Sequence, residues 1–259
     1  MRALFFLVSL SLSLPASAAD APPPDKLIAA ALDAQHIQDQ KGWKYIYRED
    51  EDQYQFGKKG DRLDPVRKTY EIIMLEGDNY RKLVLIDGRP LPDKVQKQVD
   101  KDLEQTRTER KKGGLFTFSR SVSLGGLDEL QRLFDNKVTG EDTVGGRKTW
   151  VIESQPKPGL KPADKKEEEA MSSLRATWID QEEGVVVKER FTFMRATNSF
   201  QPGTQWEREL VKVGGAWLTD TINWKGEMKP MAVIRARFET HSRFYEYKRF
   251  QAESKVTPQ

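Results

Sequence analysis

Apolar and polar residues alternate with a period of two along much of this chain, most densely between Gly145 and Arg190. Side chains on a strand point to opposite faces in turn, so this alternation marks strands with one apolar face. Trp150 and Ile152 share a face of a first run, Leu174, Ala176 and Trp178 a face of a second, and Val185, Val187 and Phe191 belong to a third. Gly145-Gly146 and Asp180-Gln181-Glu182-Glu183-Gly184 supply the turns, which predicts an antiparallel meander. The same pattern predicts strands from Trp43 (with Tyr45 and Tyr47) and over Val66–Glu76, Tyr80–Ile86, Gln205–Val213, Trp217–Lys225 and Ala232–Phe250. The period lengthens to that of a helix over about 25–38, where Asp25 is a plausible N-cap and Leu27, Ile28, Ala31 and Leu32 form a narrow stripe. Two more helices are expected. One spans 93–112, with a thin stripe of Val95, Val99, Leu103 and Thr106, and the other covers Leu127–Phe134. Leu115–Phe118 reads as a short strand or a loop. Pro156–Ala170 has three prolines, a charge block and no alternation, so a long surface loop is expected there. The sum is an α+β fold: a single strongly curved antiparallel sheet of about ten strands, a half-barrel, with two or three helices covering its concave face.

The ends and the bulk composition set limits on this picture. Met1-Arg2, the apolar run Ala3–Leu14 and Pro15-Ala16-Ser17-Ala18 have the layout of a cleaved secretory signal peptide, 1–18, leaving 19–259 as one domain. The run is too short to persist as a membrane span. With no cysteine in the chain, no lipid anchor can be attached at the cleavage site and no disulfide can form. A periplasmic protein stabilised by its core, a monomer with peripheral membrane contact at most, is therefore expected. Lys and Arg number 43 against 40 Asp and Glu, a near balance that does not suit a nucleic-acid partner.

Candidate chemistry is sparse. The two histidines, His36 and His241, stand far apart in a chain without cysteine, so no metal site is expected. Ser119, Ser121 and Ser123 lack an elbow motif, and the paired glycines fit turns rather than a phosphate cradle. No nucleophile–base pair can be assembled, so an enzyme is not expected and no cofactor is implied. Arg235, Arg237 and Arg243 on the last strand form a basic face that suits an anionic partner or simple pairing with neighbouring acids. The apolar face is large for three small helices to cover, which leaves two readings: a cavity for an apolar ligand, or a dry core.

The segment Gly140–Glu153, the Pro156-Lys157-Pro158-Gly159 turn and the run Leu174–Lys188 resemble the outer-membrane lipoprotein-sorting family. Its members are periplasmic proteins with the LolA-like fold of the lipoprotein carrier, a fold also seen in a sensor that regulates an anti-sigma factor. The motifs are a Gly-Arg turn into an aromatic strand, a strand ending Trp-Ile-Asp, an acidic turn and a strand of Val and Lys. The resemblance implies a half-barrel whose helices close its mouth over acyl chains of a lipoprotein or another lipid. By the same resemblance the lining would include Leu127, Leu130, Phe134, Trp150, Ile152, Trp178, Phe191, Ile222, Trp224 and Phe238. It implies a non-enzymatic carrier in envelope biogenesis or, as an alternative, an envelope sensor or scaffold that binds a protein partner.

Overall fold

The computed structural model of the protein describes residues 21–40, 44–57, 59–112, 126–197, 200–231 and 234–250, with the side chains of 228–236 excepted. The expected signal peptide, Trp43 and the Leu115–Phe118 run lie outside the described residues. Helix α1 (Pro24–Gln40) precedes strands β1 (Tyr45–Tyr54), β2 (Val66–Leu75), β3 (Asp78–Ile86) and the two-residue β4 (Arg89–Pro90). Helices α2 (Asp93–Lys111) and α3 (Leu127–Leu133) follow, then β5 (Phe134–Val144), β6 (Arg147–Pro156), helix α4 (Lys165–Ala170) and β7 (Ser173–Asp180). Strands β8 (Val186–Phe193), β9 (Gln205–Val213), β10 (Ala216–Met231) and β11 (Ile234–Arg249) are the last elements among the described residues.

All eleven strands lie in one open antiparallel sheet, ordered β4-β3-β2-β1-β11-β10-β9-β8-β7-β6-β5. Two sequential meanders are joined by one long-range pairing, β1 with β11, which brings Tyr45 opposite Arg249 and Tyr54 opposite Glu239. Two of the eleven, β4, too short to show alternation, and β5, are not among the strands that the alternation marks in the sequence. A bulge in the β1–β11 ladder and further irregularities in β10–β9, β2–β3, β5–β6 and β7–β8 bend the sheet.

Helices α1 and α3 bury their apolar stripes on the inner face of β5–β8. Ile28 and Ala31 of α1 meet Leu127, Leu130 and Leu133 of α3, over Phe134, Ile152, Ile179 and Val186 of the strands. A second cluster, Phe191, Phe193, Phe200, Trp206, Trp224 and Phe238, continues along the inner face toward β11. Close approach here is paid for by Gly226, where a Cβ would fall 2.7 Å from the Thr204 Cα. Helix α2 lies against β3 and buries no side chain fully. Its last turn is docked by polar contacts: the Arg110 guanidinium donates to the carbonyls of Leu75, Asp78 and Asn79.

The expected surface loop 156–170 is corrected by α4 and its contacts. Asp164 caps α4 by accepting from the Glu167 amide at 2.9 Å, while the Glu167 carboxylate accepts from the Ala163 amide at 2.7 Å, a variant of the capping box. Lys166 pairs with Glu129 at 2.7 Å and Glu167 with Arg132 at 2.6 Å, tying α4 to α3. Lys157 reaches the free carbonyls of Gln131 and Arg132 at the end of α3. The segment is a brace for the apolar core rather than a free loop.

Candidate functional site

Register decides which of the expected lining residues face inward. Directly opposed residues in an antiparallel ladder share a face. Ile152 opposes Thr177 and Trp150 opposes Ile179, whereas Val151 opposes Trp178. Trp150 and Ile152 therefore point to the helix-bearing face and Trp178 to the other. There Trp178 packs with Val144 and Val187, lies under the cationic groups of Lys188 and Arg190, and donates to Asp142 at 2.9 Å. An inward Trp178 is thus corrected. One step of register moves every side chain of a strand to the opposite face, and the β6–β7 register is set by their pairing rather than by their individual patterns.

The remaining residues divide into groups. Leu127, Leu130, Phe134 and Ile152 sit together in the filled core, at 7, 2, 1 and 0 % exposure. Phe191, Trp224 and Phe238 belong to the aromatic cluster. Ile222 faces inward opposite Arg208 and Ser242, half-buried. The side chain of Arg235 lies outside the described residues. Arg237 and Arg243 are exposed on the outer face, where Arg237 donates to the Gly60 carbonyl and lies over Phe56.

An open cleft of about 440 Å³ lies beside the filled core, on the inner face. Its floor is apolar: Val185 just before β8, Val186 at its start, Leu210 of β9, and Trp217 and Leu218 of β10. One wall is α1, whose stripe changes character along its length. Ile28 and Ala31 face the core, but the continuation of the same face, Gln35, Gln38 and Asp39, faces the cleft. The opposite wall is tyrosine-rich. Tyr47 and Tyr247 pack tilted at 36° with ring centroids 4.8 Å apart, and Tyr45 meets Tyr247 edge-on. Burial and the Glu49 carboxylate push the Tyr47 hydroxyl above its ordinary range, and burial does the same to Tyr247, so both stay neutral across ordinary pH. That residues of β1 and of β8, four strands apart in the sheet, line one cleft is the direct expression of the sheet's curvature.

The β7–β8 turn fixes the cleft's upper corner. The oxygens of Asp180, Glu182 and Glu183 lie within 4.8 Å of one another. A cation already occupies their centre: the Arg147 guanidinium is 2.6 Å from Asp180, 3.0 Å from Glu182 and 2.9 Å from Glu183. Burial opposes ionisation of Asp180, but Arg147 and the amides of Glu183 and Glu182 hold its carboxyl below the usual range. Glu183 also accepts from Lys212 at 2.7 Å and from the Trp217 indole at 3.1 Å, which ties this turn to the β9–β10 hairpin. Gly184, at φ 66°, allows the turn to close against Ala30 of α1.

Inward-facing charges in two places, Arg175 on β7 and the Glu49–Arg81–Glu51 group on β1 and β3, were not read from the sequence. Arg175 is 5 % exposed, with its guanidinium 4.4 Å from the Phe134 ring centroid and 5.0 Å from that of Phe191, and burial pulls its pKa down to about 10. It bridges the filled core and the aromatic cluster. Its position between Leu174 and Ala176 made it read as outward, for the same register reason that made Trp178 read as inward. Glu49 and Glu51 of β1 are buried on the inner face, where Arg81 of β3 bridges them at 2.6 and 3.0 Å. Their signal was visible as an acidic run, Glu49-Asp50-Glu51-Asp52, in which alternate acids must point inward.

No family model matches the sequence, and no curated protein matches it. Among solved structures, the chain is similar to a DUF1329 family protein from Desulfovibrio piger, at 13% identity, with 92% of this chain and 96% of that chain covered and a TM-score of 0.38. It is similar to a LolA superfamily protein from Nitrosomonas europaea, at 8% identity, with 92% and 99% covered and a TM-score of 0.35. A third similarity is to a putative outer membrane lipoprotein-sorting protein domain from Vibrio parahaemolyticus, at 10% identity, with 91% and 95% covered and a TM-score of 0.40.

Proposed function

We propose that the protein is a non-enzymatic binding protein of the bacterial envelope, exported to the periplasm and acting as a monomer, whose ligand has an apolar chain. Acylated lipoproteins and lipids are the class it suits. The observation that carries the reading is the cleft itself: an apolar floor of Val186, Leu210, Trp217 and Leu218 open to the surface between a polar helix wall and a tyrosine wall. Its volume of about 440 Å³ lies within the range of sites for small ligands, about 300–1,000 Å³. The filled core under α1 and α3 meets this site only at its edge, through Ala31, Leu127 and Val186, so of the ten residues expected to line it only Leu127 reaches the cleft.

The test is uptake of the neutral amphipathic dye Nile red by the purified mature chain, together with native mass spectrometry for co-purified lipid. Saturable uptake is expected, lost in Leu210→Arg, which places a charge on the floor while leaving the core under α1 and α3 untouched. Absence of both dye uptake and co-purified lipid would sink the reading.

A second reading, an envelope sensor or scaffold for a protein partner, is favoured by that same filled core, where Leu130, Phe134 and Ile152 leave no room for a chain. Under it the cleft takes up no dye, and a stoichiometric complex depends on the exposed outer-face residues Arg237 and Arg243.

A further inference from the structure

The cleft's polar end has a definite electrical character, and from it we infer that the site selects a cationic amphiphile: an ammonium group carried on an apolar chain. This inference rests on the cleft being a ligand site. It goes further by assigning the charge of the headgroup.

Three observations converge on it. The first is the α1 terminus. A helix ends with free carbonyl oxygens and a partial negative charge, which ordinarily attracts Lys, Arg or His into the last turn. Helix α1 has no basic residue in its last turn and instead places Asp39 there, facing the cleft. An acid at that position is locally unfavourable, and a bound cation would relieve it. The second is the balance of charge. Asp39, Asp78 and Glu189 line the cleft against Lys44 and Arg208. Arg208 donates to Glu189 at 2.5 Å through a terminal nitrogen while its buried Nε has no hydrogen-bond partner, and the Lys44 ammonium donates to the neutral Gly77 carbonyl, so the three acids outnumber the two cations by one. Asp39 has no such cationic partner among the described residues. The third is the aromatic wall. Tyr47 and Tyr247 are kept neutral, Tyr45 meets Tyr247 edge-on beside them, and aromatic faces attract alkylammonium groups, most strongly when water is partly excluded. Gln35 and Gln38 beside Asp39 add amide oxygens that accept from a primary ammonium. An anionic headgroup at the same place would meet Asp39 and the carbonyl end of α1, both repulsive.

The experiment is competition against Nile red by three alkyl probes of equal length below their micellar concentrations: dodecyltrimethylammonium, dodecylamine and laurate. The ammonium probes are expected to displace the dye at concentrations about tenfold lower than laurate, since charge and cation–π attraction act together. Asp39→Lys, a substitution the helix terminus itself favours, is expected to erase or reverse that preference. Equal displacement by all three, or a preference for laurate, overturns the charge assignment while dye uptake leaves the binding reading standing. Failure of the chain to take up the dye at all overturns both. A preference that persists unchanged in Asp39→Lys also overturns the assignment, because the selectivity then arises elsewhere.

Discussion

The two halves of the inner face are built from the same antiparallel ladder and are covered in opposite ways. Over β5–β8, helices α1 and α3 present apolar stripes and the result is a dry, filled core. Over β1–β3 the neighbouring helix is α2, which buries no residue fully, and the inner face sets the ion pairs of Glu49, Glu51 and Arg81 among the buried Tyr70 and Ile72. A sheet face therefore has two ways to be satisfied. It can be covered by apolar surface, at about 25 cal/mol per Å² of area removed from water, or it can neutralise its own charges through close ion pairs. The cleft lies along the boundary, where the α1 stripe turns from Ile28 and Ala31 to Gln35, Gln38 and Asp39. The boundary is where a ligand can add contacts that neither half already makes.

Breaking the covered half should have the largest effect. Phe134→Ala removes a ring that is 1 % exposed from the junction of α3, β5 and Arg175, and a loss of about 3–5 kcal/mol is expected in urea unfolding. A loss under about 1 kcal/mol would show that this core is not packed as described. The charged half should respond less. Arg81→Met leaves Glu49 and Glu51 without their shared cation, and about 2 kcal/mol is expected, below the usual cost of a fully buried pair because the Arg81 side chain is 34% exposed. A neutral or stabilising outcome would mean that the ion pairs are not what satisfies this face.

The smallest effect should come from the turn that joins the cleft to the covered half. Asp180 and Glu183 are held below the ordinary carboxylate range, Asp180 by Arg147 and backbone amides against the effect of burial, Glu183 by Lys212 first. A depressed folded pKa contributes stability that is fully present above the unfolded value of about 4 and is lost as pH falls through the folded value. Arg147→Met is therefore expected to be less stable than the parent at pH 7, by less than Arg81→Met, with the gap to the parent narrowing as pH falls below about 4. Thermal unfolding across pH 2–7 would test this, and a gap independent of pH would remove Arg147 from the role assigned to it.

Nine of the strands were legible because each carries its own alternation, β4 and β5 were not, and α1, α2 and α3 were legible from their stripes. Helix α4 was missed although Asp164 and Glu167 stand at capping-box spacing, because the prolines at 156, 158 and 162 drew attention to the loop before it. The inward Arg175 and outward Trp178 were misread together, since both sit on one strand and one register step exchanges them.

The sequence by itself determined the local elements: which runs are strands, which are helices, and where turns with Gly and Asp must fall. These follow from periodicity and backbone preferences that act over a few residues. The tertiary structure alone decided which face of each strand is inner, that β1 joins β11, and that a cleft opens beneath the polar end of α1. Those outcomes depend on pairing between residues up to about two hundred positions apart, whose register is set by the whole sheet and by the helices that dock on it.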